Sequence, residues 1–322
     1  MHAVVAALAL LIERIAGYPA PLLAAIGHPV MWMGRLIEML DRRLNRSGLP
    51  GAARKRRGVA SLLLLLLAVG APAALLAGLL RSIPFGWVAE ALFASTLLAQ
   101  KELGRAVGAV ADGLDVSLEQ GRTAVRDIVG RDPEALDEPG VARAAVESLA
   151  ESTSDGVIAP LFWLALLGLP GIALYKAVNT ADSMIGHRTE RHRDFGWASA
   201  RFDDLVNWIP ARLTGLLIVL AAPFAGGSAR LAWDVMLSDA KKHDSPNAGW
   251  PEAAVAGALG FALGGPRSYG GEVYELPQFG TGRADLGPAD IRGALRLYGA
   301  VLNLAFGFVV VLAVAQFALR AA

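Results

Sequence analysis

Two stretches of this 322-residue chain concentrate residue types capable of chemistry. The first runs E-S-T-S-D-G from Glu151 to Gly156, then Y-K-A-V-N-T-A-D-S-M-I-G-H-R from Tyr175 to Arg188. It continues R-D-F-G-W-A-S-A-R-F-D-D-L from Arg193 to Leu205 and N-W-I-P-A-R-L-T from Asn207 to Thr214. The second is D-A-K-K-H-D-S-P-N-A-G-W-P-E, Asp239 to Glu252, followed by the glycine-rich G-A-L-G-F-A-L-G-G-P and Y-G-G-E. Amphipathic periodicity does not account for this density of Asn, Asp, Ser, Arg and Gly. Ionisable groups at membrane depth are costly, and by default they mark a function. In a helix over residues 175–188, Asn179, Asp182 and Ser183 fall at i, i+3 and i+4 and share a face, which supports a common site. The glycines of the second block either let a backbone approach a phosphate or let membrane helices pack closely.

Other chemistries are excluded. The chain has no cysteine, so disulfides, thiolate metal sites, iron–sulfur clusters and cysteine nucleophiles are ruled out. There is no G-x-x-x-x-G-K-[ST] phosphate loop. The net charge of +1 argues against a nucleic-acid partner, because no whole-protein positive field draws in phosphates.

The elements that must position these blocks are membrane helices. The chain is 54% hydrophobic and 18% charged, against about 25% charged in an ordinary soluble domain. Uncharged runs of about 20 residues match a hydrocarbon core about 30 Å thick, and Val59–Leu80 and Leu297–Leu319 are such runs. Gly156–Tyr175 is long enough but contains Pro160 and the Gly168-Leu169-Pro170-Gly171 breaker. A straight span there would hold Asp155 and Asp182 roughly 30 Å apart, so a re-entrant or bent helical hairpin is expected instead. Ser82–Gln100, Leu213–Ala229 and Ala253–Pro266 are weaker candidates; with Val59–Leu80, the first of them suggests a helical hairpin.

Seven basic residues and no acidic one lie between Arg42 and Arg57, which places this loop in the cytoplasm by the positive-inside rule. Ala3–Ile12 reads as a membrane anchor. Met33, Leu36, Ile37, Leu40 and Leu44 have the spacing of an amphipathic interfacial helix. Residues 101–155 read as short amphipathic helices, with Val107, Val110 and Leu114 on one face and breaks at Asp132-Pro133 and Glu138-Pro139-Gly140. Glu272–Phe279 is the sole strand candidate, and the scattered tryptophans read as interface anchors. The expected fold is an all-α, polytopic helical membrane protein with broken or re-entrant helices around the polar site. Its expected divisions are 1–100, membrane helices with the basic loop; 101–155, a cytoplasmic helical insert; 156–282, the membrane-associated core; and 283–322, a C-terminal transmembrane helix.

The strings H-P-V-x-x-x-G-R-L-I (His28–Ile37), S-D-G-V-I-A-P-L-F-W, Y-K-A-V-N-T-x-D-S-M-x-G-H-R, F-G-W-A-S-A-R-x-D-D, I-P-A-R-L-T and H-x-S-P-N-A-G-W-P-E-A resemble the CobD/CbiB family of cobalamin biosynthesis, adenosylcobinamide-phosphate synthases. The resemblance covers nearly the whole chain; His192 stands where an aromatic residue is expected. It implies ATP-dependent amide ligation of a corrinoid carboxylate, adenosylcobyric acid, to (R)-1-aminopropan-2-ol or its O-phosphate. A sister branch, AmpE, is a membrane protein linked to β-lactamase signalling. A non-catalytic sensor of that kind is one rival reading, and a transporter is the other, since Asn179 and Asp182 near broken helices also suit a permeation pathway.

For such a ligase the resemblance implies Mg²⁺ held by one or two carboxylates among Asp155, Asp182, Asp203 and Asp204. Asp203 and Asp204 could instead pair with Arg201 or cap a helix. Lys176, Arg188, Arg193, Arg201 and Arg212 are candidates to neutralise phosphoryl charge, and Asp182 or Glu151 to take the amine proton. Asn179, Ser183 and His187 would orient groups, with Asn207, Lys241, His243, Ser245 and Asn247 as further substrate contacts. His28 reads as a structural turn. The implied setting is the inner cell membrane with the site facing cytoplasmic ATP. The partners are then the lipid bilayer, the corrinoid and the amino alcohol, with other pathway proteins or a second copy of the chain also compatible.

Overall fold

Apolar runs in hydrocarbon must satisfy their own backbone hydrogen bonds, which dictates helices. The computed structural model describes residues 1–129, 133–265, 267–269, 272–274 and 277–321 and is 79% helical. Asp132 of the expected break, Gly270-Gly271 and part of the expected Glu272–Phe279 strand lie outside the described residues. In chain order the helices are α1 (His2–Ala16), α2 (Ala20–Ile26), α3 (Pro29–Leu44), α4 (Gly51–Arg81), α5 (Gly86–Ser95), α6 (Gln100–Val116), α7 (Leu118–Arg126) and α8 (Glu138–Thr153). There follow α9 (Ala159–Leu167), α10 (Leu169–Ile185), α11 (Trp197–Ala221), α12 (Ala229–Asp239), α13 (Gly249–Leu259) and α14 (Pro288–Ala321). Four short strands, β1 (Leu263–Gly264), β2 (Arg267–Tyr269), β3 (Glu272–Tyr274) and β4 (Gln278–Phe279), precede α14.

The protein is a membrane protein. Gly51–Arg81, Trp197–Ala225 and Pro288–Leu319 are long and apolar enough to cross a bilayer, and α1 with Ala20–Leu44, bent by 99°, makes a fourth candidate. Val59–Leu80 and Leu297–Leu319 thus lie in spans as expected. The hairpin partner expected over Ser82–Gln100 does not form: α5 has ten residues, about 15 Å at 1.5 Å per residue, half of the hydrocarbon thickness.

By contacts the chain divides into two units, one of residues 1–99, 159–207 and 308–322, the other of 100–158 and 208–307. In the first unit, α10 packs on α3, α4, α5 and α9. The breaker acts as expected. Gly168 has φ +71° and separates α9 from α10, and a Cβ on Gly171 would stand 2.4 Å from the Trp163 carbonyl oxygen. Eight residues of straight helix would separate these positions by about 12 Å, so the chain folds back on itself. Glu90, the single charge in its run, is 0% exposed. It pairs with Arg81 at 2.9 Å and accepts the Leu169 N–H at the start of α10 at 3.3 Å, where a helix N-terminus favours an anion.

In the second unit, α6 packs on α7 and α8 through the expected face, with Val107, Val110 and Leu114 buried. Helices α12 and α13 pair, and the strands form two antiparallel ladders, β1 with β4 and β2 with β3. Asp239 ties the end of α12 to this region by accepting the Gly280 N–H at 2.8 Å and pairing with Lys242 at 2.6 Å.

Candidate functional site

Helical spacing builds a polar seam inside the first unit. Tyr175, Asn179 and Asp182 repeat at i, i+4 and i+7 on α10, and Asp203 and Asn207 at i, i+4 on α11. The Tyr175 hydroxyl donates to Asn207 Oδ1 at 2.9 Å, and Asn207 Nδ2 donates to Asp203 Oδ2 at 2.9 Å. Asn179 is a second amide beside Asp203. Asp203 is 8% exposed, and its buried Oδ1 makes no hydrogen bond. The charge of Asp204 also acts on Asp182. Burial first, and then that neighbouring charge, push the Asp182 carboxyl above the usual carboxylate range, while His187 opposes the shift. Like charges that act on one another in this way disfavour simultaneous ionisation, and Arg201 offsets the charge of Asp204.

Next to the seam lies a cavity of about 530 Å³ lined by Lys55, Gly186, Arg188, Arg193, Asp194, Trp197, Ala200, Arg201 and Asp204. Arg201 stands 3.5 Å from Asp204, and Lys55 is 3.9 Å from Asp194 and 5.7 Å from the centre of the Trp197 ring. Four cations against two carboxylates leave an excess of two positive charges in the lining, an arrangement that favours a polyanion. Asp204 lines the cavity and belongs to the acidic seam, so an anion held here would sit beside the carboxylates.

The remaining expected residues are placed as follows. The charge of Lys176 acts on His28, and His28 accepts the Val30 N–H to cap α3, the structural turn expected of it. Ser183 donates its hydroxyl back to the Asn179 carbonyl at 2.9 Å. Glu151 lies in the last turn of α8, and Asp155 sits on a π-turn, Ser154–Ile158, both in the second unit. In the same unit, His243 Nδ1 accepts the Ser245 N–H, Ser245 Oγ accepts from Asn247 and Ala248, and Lys241 is exposed, so much of that motif shapes a turn.

Arg212 is held between two tryptophan rings, 4.3 Å from Trp208 and 4.6 Å from Trp250, and donates to the Trp208 carbonyl and to Asn247. These tryptophans therefore clamp a cation, and Trp163 donates to the Val206 carbonyl at 3.1 Å. Arg212→Lys is expected to destabilise the protein by about 1–2 kcal/mol, since an ammonium neither stacks as a plane nor forks to two acceptors. A fall in the thermal unfolding midpoint in detergent checks this, and an unchanged midpoint would contradict it.

Sequence reasoning passed over Tyr175, Lys55, Asp194 and Trp197. Tyr175 was legible, because it lies four residues before Asn179 and opens the same motif. Lys55 was hidden in a basic loop read as a topology signal alone.

Among the described residues no three His, Asp or Glu side chains stand close enough to hold a metal ion by themselves. The orphaned Oδ1 of buried Asp203 still fits Mg²⁺, which usually takes only one or two carboxylates and completes its shell with phosphate oxygens and water.

Fold and site together define a helical membrane protein that gathers carboxylates and cations around an anion-sized cavity. The chain belongs to the CobD/CbiB family, whose model, described as "CobD/Cbib protein", matches residues 6–298. It is 48% identical over 318 residues to the "Cobalamin biosynthesis protein CobD" of Brucella suis biovar 1 (strain 1330), covering 95% of each chain. It is 49% identical over 312 residues to the protein of that name from a Sinorhizobium species, covering 95% of this chain and 97% of the other. The Rhodobacter capsulatus protein of the same name is 48% identical over 308 residues, with 94% and 95% covered. No solved structure matches the chain.

Proposed function

We propose that this protein acts in cobalamin biosynthesis as an ATP-dependent carbon–nitrogen ligase that joins the carboxylate of adenosylcobyric acid to (R)-1-aminopropan-2-ol or its O-phosphate. The observation that carries this reading is the acidic seam of Asp182, Asp203 and Asp204 beside a cavity lined by Lys55, Arg188, Arg193 and Arg201. A carboxylate becomes reactive toward an amine once its oxygen is a leaving group. The substrate carboxylate oxygen attacks the γ-phosphorus of ATP, giving an acyl phosphate and ADP. The amine nitrogen then attacks the acyl carbon and inorganic phosphate departs.

The four cations hold the transferring phosphoryl group as its charge spreads. Asp182, poised by its raised pKa, takes the proton that the amine loses. Asp203, fixed by Asn207 and Tyr175, and Asp204 would hold Mg²⁺, which supplies charge neutralisation to the phosphates. The test incubates purified protein in detergent with adenosylcobyric acid, ATP, Mg²⁺ and each acceptor, followed by mass spectrometry. Adenosylcobinamide or its phosphate is expected, together with one ADP per amide. Failure with both acceptors would move the reading to a sensor or a transporter.

The site is proposed to face the cytoplasm from the inner membrane, because the Arg42–Arg57 segment, where α3 joins α4, is basic and Arg54 contacts residues 190 and 191. The chain has no cysteine, so each introduced thiol is unique. An impermeant thiol reagent is expected to label Ser82→Cys in intact cells, but Ser47→Cys and Thr189→Cys only after permeabilisation. Labelling of Thr189→Cys in intact cells would reverse the orientation.

A further inference from the structure

The cations of the cavity are carried in part by residues 186–196, a run of turns between α10 and α11. Such a segment has few hydrogen bonds of its own with which to aim Arg188 and Arg193. The neighbouring helices supply them. Asn45, at the end of α3, donates Nδ2 to Asp41 Oδ1 at 2.7 Å and to the Arg191 carbonyl at 3.0 Å. Its Oδ1 accepts from Arg54 Nε at 3.0 Å, and Arg54, on the first turn of α4, also donates to the Glu190 carbonyl at 3.3 Å and to the Arg191 carbonyl. Asp41 closes the network by pairing with Arg191 at 2.5 Å, with His192 Nε2 at 3.6 Å. None of Asp41, Asn45 and Arg54 lines the cavity.

We propose that Asp41, Asn45 and Arg54 are positioning residues for the anion cavity: they anchor the backbone at 190–191 so that Arg188 and Arg193 converge on a bound nucleotide polyphosphate. This rests on the reading of the cavity as the ATP site. A guanidinium aimed at a phosphate acts through its placement, and a displacement of about 1 Å is enough to weaken it strongly. The network also gives the basic loop a second role beside its topological one, since Arg54 and Lys55 lie side by side, one holding the segment and the other facing the cavity.

The deciding variant is Arg54→Lys, which keeps the charge and hence the field in the cavity but loses the fork that reaches three acceptors at once. Asn45→Ala removes the hub with no change of charge. Calorimetry with MgATP on full-length protein in detergent is expected to show a Kd raised roughly tenfold in both variants. The KM for the corrinoid should stay within about twofold of wild type, as uniform loss of ATP binding requires. An unchanged Kd for ATP, or an unchanged Kd accompanied by falling kcat and unfolding midpoint, would overturn the proposal and leave a merely structural network. If wild type binds MgATP yet forms no amide, the ligase reading fails while the positioning role is still decided by the Kd of the variants. If wild type binds no ATP, both fall.

Discussion

Asp182→Asn is expected to lower kcat for amide formation by about 10²–10⁴, the typical contribution of a positioned general base. Asparagine keeps the size and one carbonyl oxygen but takes no proton at neutral pH. The loss should not come from unfolding, and the sign of the pKa shift says why. A carboxyl whose folded pKa is raised stabilises the fold below its ordinary pKa and loses that contribution as pH rises through the folded value. Above its raised folded pKa, ionised Asp182 is therefore a net cost to the fold, set by burial and by the Asp204 charge, and a neutral amide removes it. The variant should melt at or above the wild-type midpoint while inactive. The same shift places the acid limb of the wild-type rate profile above the usual carboxylate range, with activity rising as Asp182 ionises. A variant within about tenfold of wild-type activity would take Asp182 out of the proton-transfer role, and a limb at ordinary carboxylate pH would deny the raised pKa.

Much of this site was legible in the sequence because helical spacing is a local property. Asn179 and Asp182 could be placed on one face of α10 from residue numbers alone, and the Gly168–Gly171 breaker announced the fold-back that a straight run of about 20 apolar residues would have forbidden. What could not be read was contact between segments far apart in the chain. Asn207 is buried between Tyr175 and Asp203, a placement that exists only once α10 and α11 are side by side. Ser82–Gln100 looked like a crossing because hydropathy sums over residues and does not see that Glu90 is spent on Arg81 and on the start of α10. Likewise, Arg212 is a cation in a polar block by sequence, with Trp208 one turn before it on α11, and only the approach of Trp250 from α13 reveals a clamp.

A second large effect is expected at Gly58, on the second turn of α4. A Cβ at this position would stand 1.9 Å from the Phe195 carbonyl oxygen and 2.9 Å from its carbon, and Phe195 is 0% exposed. The obstacle is backbone in the segment that carries Arg193, Asp194 and Trp197, so no side-chain rotation relieves it. Gly58→Ala is expected to destabilise by about 3 kcal/mol, the upper part of the usual overpacking range, and to weaken ATP binding as the segment is pushed off α4. Gly78 in the same helix provides the control, because a Cβ there meets nothing within 4 Å. Gly78→Ala should leave binding intact and raise stability by roughly 0.5–1 kcal/mol, through the helix preference of alanine over glycine. Both variants add one methyl group to one helix, so the difference between their unfolding midpoints isolates the clash from the propensity. Equal midpoints would mean that α4 and residues 194–196 are not packed backbone to backbone, and the cations of the cavity would then lack the anchor on which their convergence depends.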